Sequence, residues 1–187
     1  MPFTIGIQGD AGSTNEKACK FFARKYQWKN FEIRYLITTE NVLRALENNK
    51  ISYGTFAWKS SRNGLVEETQ KAIKKYQFEK IDEVVLPSDH VLLANSKIDS
   101  EKVVHIFSHP QALEEHKSFL EKHFAKFSLH EEIDTAFAAK KLSQNEYPQN
   151  SLVLAPKSCA KIYGLKIFLE NIPTNKGYET TIYLVKK

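Results

Sequence analysis

Cysteine is scarce in this sequence, and its scarcity excludes several kinds of site. Only two cysteines occur among 187 residues, Cys19 and Cys159, and they lie far apart. Neither belongs to a C-x-x-C pair or to a cysteine–histidine array with metal-ligand spacing. We therefore expect two reduced, buried or half-buried thiols and no metal bound by them.

Long apolar runs are also missing. No stretch approaches the roughly 18 apolar residues that a membrane span needs. The first ten residues contain no basic segment followed by an apolar core, so no secretory signal is recognisable. We expect a cytoplasmic protein with no membrane partner.

Basic clusters of the kind that bind nucleic acid are absent as well. Lys and Arg number 27 against 22 Asp and Glu, a formal net charge of +5, but the lysines are scattered and no basic run alternates with aromatic residues. We expect no nucleic-acid partner, and an anionic small ligand or simple solubility accounts equally well for the charge.

With 42% hydrophobic residues the chain can bury a core as one domain or two small lobes.

The first 76 residues alternate between strand-like and helical patterns. Strand-like runs cover 3–8, 31–36 and 51–58, and helical patterns follow at about 14–26, 39–47 and 65–76, with a polar loop at 59–64. This β-α-β-α-β-α order predicts a parallel sheet covered by helices. Its functional edge is expected at the carboxyl ends of the strands.

From about residue 78 the pattern changes, which indicates a second lobe. Two short apolar runs, 84–86 and 91–93, flank a turn and predict paired strands. The later segments continue as strands and helices, with an exposed loop at 144–150. The predicted strands lie at 103–107, near 126–129, and at 152–155, 166–171 and 178–185; the predicted helices begin at Pro110 and cover 134–142 and 157–163, the last stopping at Gly164.

The stretch 103–120 contains the sharpest strand-to-helix junction. Apolar residues end at Ser108, and a helical pattern starts at once after Pro110. Ser108 and Gln111 have the spacing of a capping box, which predicts a well-capped helix start. The alternative is functional: such a turn gathers N–H groups, a hydroxyl, an imidazole and a carboxamide, all suited to holding an anion.

The glycine-rich turn at 9–14 favours no nucleotide. It lacks the third glycine and the downstream acidic residue of a dinucleotide fingerprint, and it is not a P-loop.

The hexapeptide Ser-His-Pro-Gln-Ala-Leu at 108–113 resembles the signature of the prephenate dehydratase family, and the resemblance continues in order along the chain. The further matching segments are 8–16, 54–69, Asp134-Thr135-Ala136, 160–165, 170–172 and 180–183. The resemblance implies an α/β fold of two lobes with a cleft between them, similar to type II periplasmic binding proteins. It also implies that the chain returns to its first lobe, so that lobe 1 comprises 1–77 and 166–187, and lobe 2 comprises 78–165.

Members of this family convert prephenate to phenylpyruvate in L-phenylalanine biosynthesis, losing carbon dioxide and the ring hydroxyl together without metal or organic cofactor. The family's catalytic threonine matches Thr181, and Thr180 is the one-residue register alternative. The resemblance implies these substrate-binding residues: Ser13, Thr14, Lys59, Ser60, Ser108, His109, Gln111, Thr135 and Ala136. The expected partners are prephenate or arogenate and further copies of the chain, as a homodimer or higher homo-oligomer.

Two motifs depart from the family pattern. Lys59 and Ser60 stand where the family has Glu-Asn, and Ile182 replaces its arginine. One hypothesis is that Lys59 supplies, from one wall of the cleft, the cation lost at Ile182 on the other; the alternative is an altered or inactive site. The chain could then be a prephenate decarboxylase that retains the hydroxyl, or a non-catalytic binding or sensing protein of the same fold.

Two further expectations complete the sequence-based prediction. The sequence stops at Lys187, directly after the last motif, where the family typically continues into an ACT regulatory domain, so we expect no phenylalanine feedback by that route. The histidines outside the motif are interpreted as surface or packing residues; they are His90, His105, His116, His123 and His130.

Overall fold

The computed structural model describes residues 3–61, 64–96, 98, 100–173 and 178–187. The chain forms two compact units. The first contains the described residues of 1–10, 14–87 and 177–187, and the second those of 11–13 and 88–176. None of the described helices combines the length and the apolar character that crossing a bilayer requires.

Unit 1 is a mixed sheet with helices on both faces. Its strands are β1 (Phe3–Gln8), β2 (Phe31–Ile37), β3 (Tyr53–Ser60), β4 (Gly64–Leu65), β5 (Glu79–Pro87) and β11 (Glu179–Lys186). Its helices are α1 (Thr14–Lys25), α2 (Thr39–Glu47) and α3 (Glu67–Ile73). The strand order is β2-β1-β3-β11-β5, with β4 paired to β3; β1, β2 and β3 are parallel, and β11 runs antiparallel to both of its neighbours.

The two faces of this sheet bury different helices. Phe22 of α1 packs with Ile182 and Leu184 of β11, whereas Val42 of α2 packs with Val185 on another cluster. Because neighbouring residues of a strand point to opposite faces, a single strand serves both clusters. Alternate side chains of β11 therefore pack against α1 on one face of the sheet and against α2 on the other.

Unit 2 has the same layered construction. Its strands are β6 (His90–Ala94), β7 (His105–Ser108), β8 (Ser128–Glu131), β9 (Ser151–Pro156) and β10 (Lys166–Leu169). Its helices are α4 (Pro110–His123), α5 (Thr135–Ser143) and α6 (Ser158–Tyr163), with a short 3-10 turn at Ser100–Lys102. The strand order is β10-β6-β9-β7-β8, in which β7, β8 and β9 are mutually parallel.

Local sequence explains where several helices begin and end. The side chain of Asp134 accepts the Phe137 N–H at 2.8 Å and caps α5. Gly164 ends α6 with φ of +66°, a conformation that glycine adopts at little cost. Residues 144–150 join α5 to β9 and are exposed apart from half-buried Tyr147, as predicted.

Three features differ from the sequence-based expectation. The runs 84–86 and 91–93 do not pair with each other: β5 pairs with β11, and β6 pairs with β9 and β10. The chain consequently changes unit after residue 87 rather than after 77, and β10 belongs to unit 2 rather than to lobe 1. Strand pairing depends on partners far away in sequence, which local patterns do not reveal.

The predicted polar loop at 59–64 is wrong at its start. Lys59 and Ser60 are the last residues of β3, because this strand continues to pair with β11 and β4 beyond a register shift between Thr181 and Ile182. Residues 62 and 63 of that loop lie outside the described residues.

Candidate functional site

In unit 2, the N-terminal ends of three helices lie at one edge of the sheet. Because β7, β8 and β9 are parallel, their carboxyl ends meet at that edge, and α4, α5 and α6 each begin just after one of them. The N–H groups of a helix's first turn lack partners within the helix and attract anions. This edge therefore has the chemistry that a carboxylate ligand requires.

Ser108 ends β7 and is completely buried. Its Oγ donates a hydrogen bond of 2.6 Å to the Leu154 carbonyl of β9. The predicted capping box is therefore wrong, since the Ser108 hydroxyl joins two strands instead of capping α4. Through this hydroxyl Ser108 positions the turn that follows it.

His109 is the residue that caps α4. Its Nδ1 accepts the Gln111 backbone N–H at 3.3 Å, so the neutral ring carries its proton on Nε2 and can donate it in a hydrogen bond. Burial lowers the pKa of His109 below its ordinary value, which favours this neutral form. His109 and Gln111 are both half-buried at the start of the helix.

Thr135 and Ala136 begin α5 after β8. Thr135 is half-buried, whereas Ala136 is fully buried in the core of unit 2. Ala136 could therefore meet a ligand only through its backbone, while Thr135 adds a hydroxyl beside the same helix end.

The glycine-rich turn belongs to this edge through residues 11–13. Ser158 Oγ donates to the Gly12 carbonyl at 2.7 Å, and the Tyr163 hydroxyl donates to the Ala11 carbonyl at 2.9 Å, so the turn is held on α6. Gly12 has φ of +88°, and a Cβ there would lie 2.9 Å from Cys159 Sγ. Glycine is required at this position both for conformation and for space. Ser13, buried, is thereby part of unit 2 rather than of the first lobe.

Unit 1 collects the remaining predicted residues at the corresponding edge of its own sheet. The carboxyl ends of β1 and β3 lie there, and β11 starts there because it is antiparallel to β3. Thr181 pairs with Lys59, and Thr180 with Ser60. Thr181 is 5% exposed, Ser60 is buried and Lys59 is exposed. Thr14 opens α1, whose next residue, Asn15, donates to Gln8 Oε1 at 3.3 Å at the end of β1.

The register of β3 and β11 changes the hypothesis about the missing arginine. Lys59 and Ile182 lie on adjacent strands of one unit, not on two opposing walls. The side chain of Ile182 is completely buried against Ala18 and Phe22, where an unpaired guanidinium would be strongly disfavoured. Position 182 is therefore part of the hydrophobic core in this chain. The basic residue that pairs with Thr181 on the adjacent strand is Lys59.

A polar network at the same edge was missed by sequence reasoning. Gln8 Nε2 donates to Glu68 Oε2 at 2.9 Å, and Glu68 Oε1 accepts the Thr39 backbone N–H at the start of α2. Burial raises the pKa of Glu68, although these hydrogen bonds oppose the change. Its partners are 60 and 29 positions away, so no local pattern identifies it.

Ten predicted site residues are thus divided into two groups, each gathered at the carboxyl edge of one sheet. The unit 2 group contains Ser13, Ser108, His109, Gln111, Thr135 and Ala136, and the unit 1 group contains Thr14, Lys59, Ser60 and Thr181. The convergence of the two groups on one cleft stays a prediction.

Comparisons with known proteins agree with this architecture. The family model for prephenate dehydratase matches residues 5–187. A bifunctional chorismate mutase/prephenate dehydratase of Buchnera aphidicola subsp. Schizaphis graminum is 28% identical over 168 residues, which cover 88% of this chain and 43% of that protein. The chain spans about half the length of the curated relatives it matches first.

Solved structures confirm the predicted fold class. A prephenate dehydratase from Arthrobacter aurescens, in complex with L-Phe, superposes with a TM-score of 0.82 at 20% identity, covering 98% of this chain and 60% of that one. A periplasmic substrate-binding protein of an ABC transporter from Coxiella burnetii gives a TM-score of 0.55 at 15% identity, covering 98% and 84%. The α/β fold of two lobes is thus shared with both classes. With a family match over nearly its whole length, the chain belongs to the prephenate dehydratase family.

Proposed function

We propose that this chain catalyses the reaction for which its family is named, the conversion of prephenate to phenylpyruvate with loss of carbon dioxide and hydroxide. The family match over residues 5–187 carries this proposal. The two groups of polar residues at sheet edges support it, because helix-end amides, hydroxyls and a neutral imidazole suit a substrate with two carboxylates.

The chemistry assigns a task to each group. When the ring carboxylate leaves as carbon dioxide, the electron pair of the broken C–C bond enters the ring, and the C–O bond to the ring hydroxyl breaks. The departing hydroxide needs a hydrogen-bond donor and a proton, which makes it water. Thr181 is proposed to donate to that oxygen. The helix ends at His109 and Thr135 are proposed to bind substrate carboxylate, with Lys59 supplying positive charge from beside Thr181.

A second candidate follows from position 182. Because Ile182 is buried in the core, the family's arginine has no direct replacement at its own position. At a site that binds prephenate without fully assisting departure of the hydroxyl, carbon dioxide would leave and the electron pair left in the ring would take up a proton from water instead of expelling hydroxide. The product would then retain the hydroxyl, as a prephenate decarboxylase requires.

Product identification after incubation with prephenate tests the proposal. We expect phenylpyruvate from the wild-type protein and a fall in kcat of about 100-fold or more in Thr181→Val, which removes a hydroxyl at nearly constant volume. Thr180→Val is the matched control, since Thr180 is the neighbouring residue on the same strand. We expect this control to retain most of the activity.

Each outcome assigns or removes one function. A product that keeps the hydroxyl supports the decarboxylase, and tight binding of prephenate without turnover supports a sensing protein. An equal loss in both threonine variants would remove the special role of Thr181. An unchanged rate in Lys59→Glu would take Lys59 out of the mechanism.

The proposed reaction also implies a compartment and an assembly. Biosynthesis of L-phenylalanine from prephenate is expected in the cytoplasm, and arogenate is the alternative substrate to be compared in the same assay. A homodimer or higher homo-oligomer remains our expectation for the quaternary structure. Light scattering coupled to size-exclusion chromatography measures it directly.

A further inference from the structure

A second group of side chains in unit 2 lies outside the predicted substrate site. His90 begins β6, and Glu115 and His116 are consecutive residues of α4. One ligand-type atom from each of the three lies within 4.8 Å of the others. We call these three residues the His–Glu–His cluster.

The cluster is buried to an unusual degree for ionisable groups. The side chains of Glu115 and His116 are both fully buried, and His90 is half-buried. Within the described part of the chain, neither ring nitrogen of His116 has a hydrogen-bond partner of standard geometry. A buried polar atom left in this condition costs about 1–3 kcal/mol, so native structures usually provide a partner.

The neighbouring carboxylate of Glu115 does not meet this need. Glu115 Oε2 lies 3.7 Å from His116 Nε2, which is beyond hydrogen-bond distance. A neutral imidazole has a nitrogen lone pair available and is the form of histidine that binds metals.

We propose that His90, Glu115 and His116 bind one divalent zinc ion. Two imidazoles and one carboxylate are a usual zinc ligand set, whereas Mg²⁺ and Ca²⁺ prefer ligand sets made of oxygen. Zinc bonds of roughly 2.0–2.2 Å place tetrahedral ligand atoms roughly 3.5 Å apart, so small side-chain rotations would close the present separations. The ion would link α4 to the start of β6 through its ligands.

Two further contacts suit such a site. Ser88 Oγ lies 3.0 Å from His90 Nδ1, in the position of the outer partners that orient metal-bound imidazoles. The centroids of the His90 and His116 rings are 5.7 Å apart, with an angle of 71° between the ring planes, and one ring nitrogen of each lies within 4.8 Å of the other. The proposal is independent of the proposed reaction, because the cluster contains none of the ten predicted substrate residues.

Zinc binding by the metal-free full chain, without a histidine tag, tests the proposal. Titration with zinc(II) against a chromogenic chelator should show one equivalent bound by the wild type. His90→Gln should bind it at least about 100-fold more weakly, since losing a ligand costs more than the 10–100-fold caused by losing an outer partner. His90 is the first choice for substitution because it is half-buried at a strand end, and circular dichroism checks that the variant is folded.

Two histidine variants are the controls. His123→Gln changes an exposed histidine in the last turn of the same helix and should leave affinity unchanged. His130→Gln removes a second close histidine pair in the described part of unit 2, in which His105 Nδ1 and His130 Nε2 lie 3.0 Å apart. It should also leave affinity unchanged.

Cobalt(II) in place of zinc reports the ligand set by absorption spectroscopy. We expect tetrahedral d–d bands without thiolate charge transfer. The proposal is overturned if the wild type binds no zinc, if His90→Gln binds it as tightly as the wild type, if the loss follows His130 instead, or if the cobalt spectrum shows a thiolate ligand.

Discussion

Buried hydroxyl groups in this protein differ in whether the surrounding backbone gives them a hydrogen bond. Ser108 donates to Leu154, and the Thr69 hydroxyl donates to the Ala57 carbonyl at 2.8 Å while lying 2.9 Å from the hydroxyl of Thr39. Thr55 is different: it is completely buried in β3, and its Oγ1 has no hydrogen-bond partner among the described residues. Desolvation of that hydroxyl is therefore uncompensated.

Replacing Thr55 by Val should stabilise the protein by about 1 kcal/mol, because it removes an unsatisfied hydroxyl and keeps the branched shape. Thr69→Val is the matched control and should destabilise by about 1–2 kcal/mol, since it breaks two hydrogen bonds. The free energy of unfolding from urea titration measures both changes. A loss of stability in Thr55→Val comparable to that of Thr69→Val would contradict this account.

Contact between α2 and the sheet of unit 1 depends on a strand residue without a side chain. A Cβ at Gly54 would lie 2.6 Å from Val42 Cγ1 and 3.1 Å from Leu46 Cδ1, both on α2, and 3.2 Å from Val185 Cγ2 on β11. Tightly packed interiors absorb an added methyl only by displacing side chains or backbone. The helix therefore rests directly on the backbone of β3.

Gly54→Ala should lower the free energy of unfolding by about 1–3 kcal/mol. Val42→Ala alone should also destabilise, because it leaves a cavity. In the double variant the new methyl can occupy part of that cavity. The loss of stability in the double variant should therefore be smaller than the sum of the losses in the two single variants. Strict additivity would show that the two residues do not share this space.

Helix α4 shows how one element can serve two sites. Its first turn presents His109 and Gln111 at the sheet edge, while Glu115 and His116, one to two turns further on, form the His–Glu–His cluster with His90. Because the two sets of residues are separated by roughly 5–10 Å along the helix axis, a single helix can present them to different neighbours. The substrate-site and zinc proposals can therefore be tested independently on the same helix.

Each compact unit is assembled from separate pieces of the chain. Strand β11 comes from the last residues of the sequence, yet it lies between β3 and β5 in the sheet of unit 1. The strands β6 to β10 of unit 2 all come from one continuous segment, 88–176. The two cysteines report on the two units, because Cys19 is buried in unit 1 and Cys159 in unit 2.

Deleting residues 179–187 should unfold unit 1 while leaving unit 2 folded, because the sheet of unit 1 loses an interior strand. In the wild type both thiols should react slowly with a thiol reagent, because both are buried. The pKa of Cys19 is raised to about 12, chiefly by burial, which lowers its thiolate fraction further. In the truncated chain Cys19 should react rapidly and Cys159 slowly, as identified by mass spectrometry. Deletion of Lys187 alone is the control, and equal exposure of both thiols after the longer deletion would show that the units do not fold independently.

The sequence by itself determined the features that depend on neighbouring residues. Alternating apolar patterns predicted β1 and β3 and the helices between them, Gly164 predicted the end of α6, and the ordered motifs indicated the family. These signals are readable because helix ends and strand patterns depend on residues only a few positions apart.

Only the tertiary structure decided features that depend on distant partners. It paired β5 with β11 instead of β6, assigned Ser13 to unit 2, and turned the Ser108 hydroxyl to Leu154. It also brought His90 beside Glu115 and His116. Each of these contacts joins residues well separated in the chain, and packing, rather than local preference, selects among the possible partners.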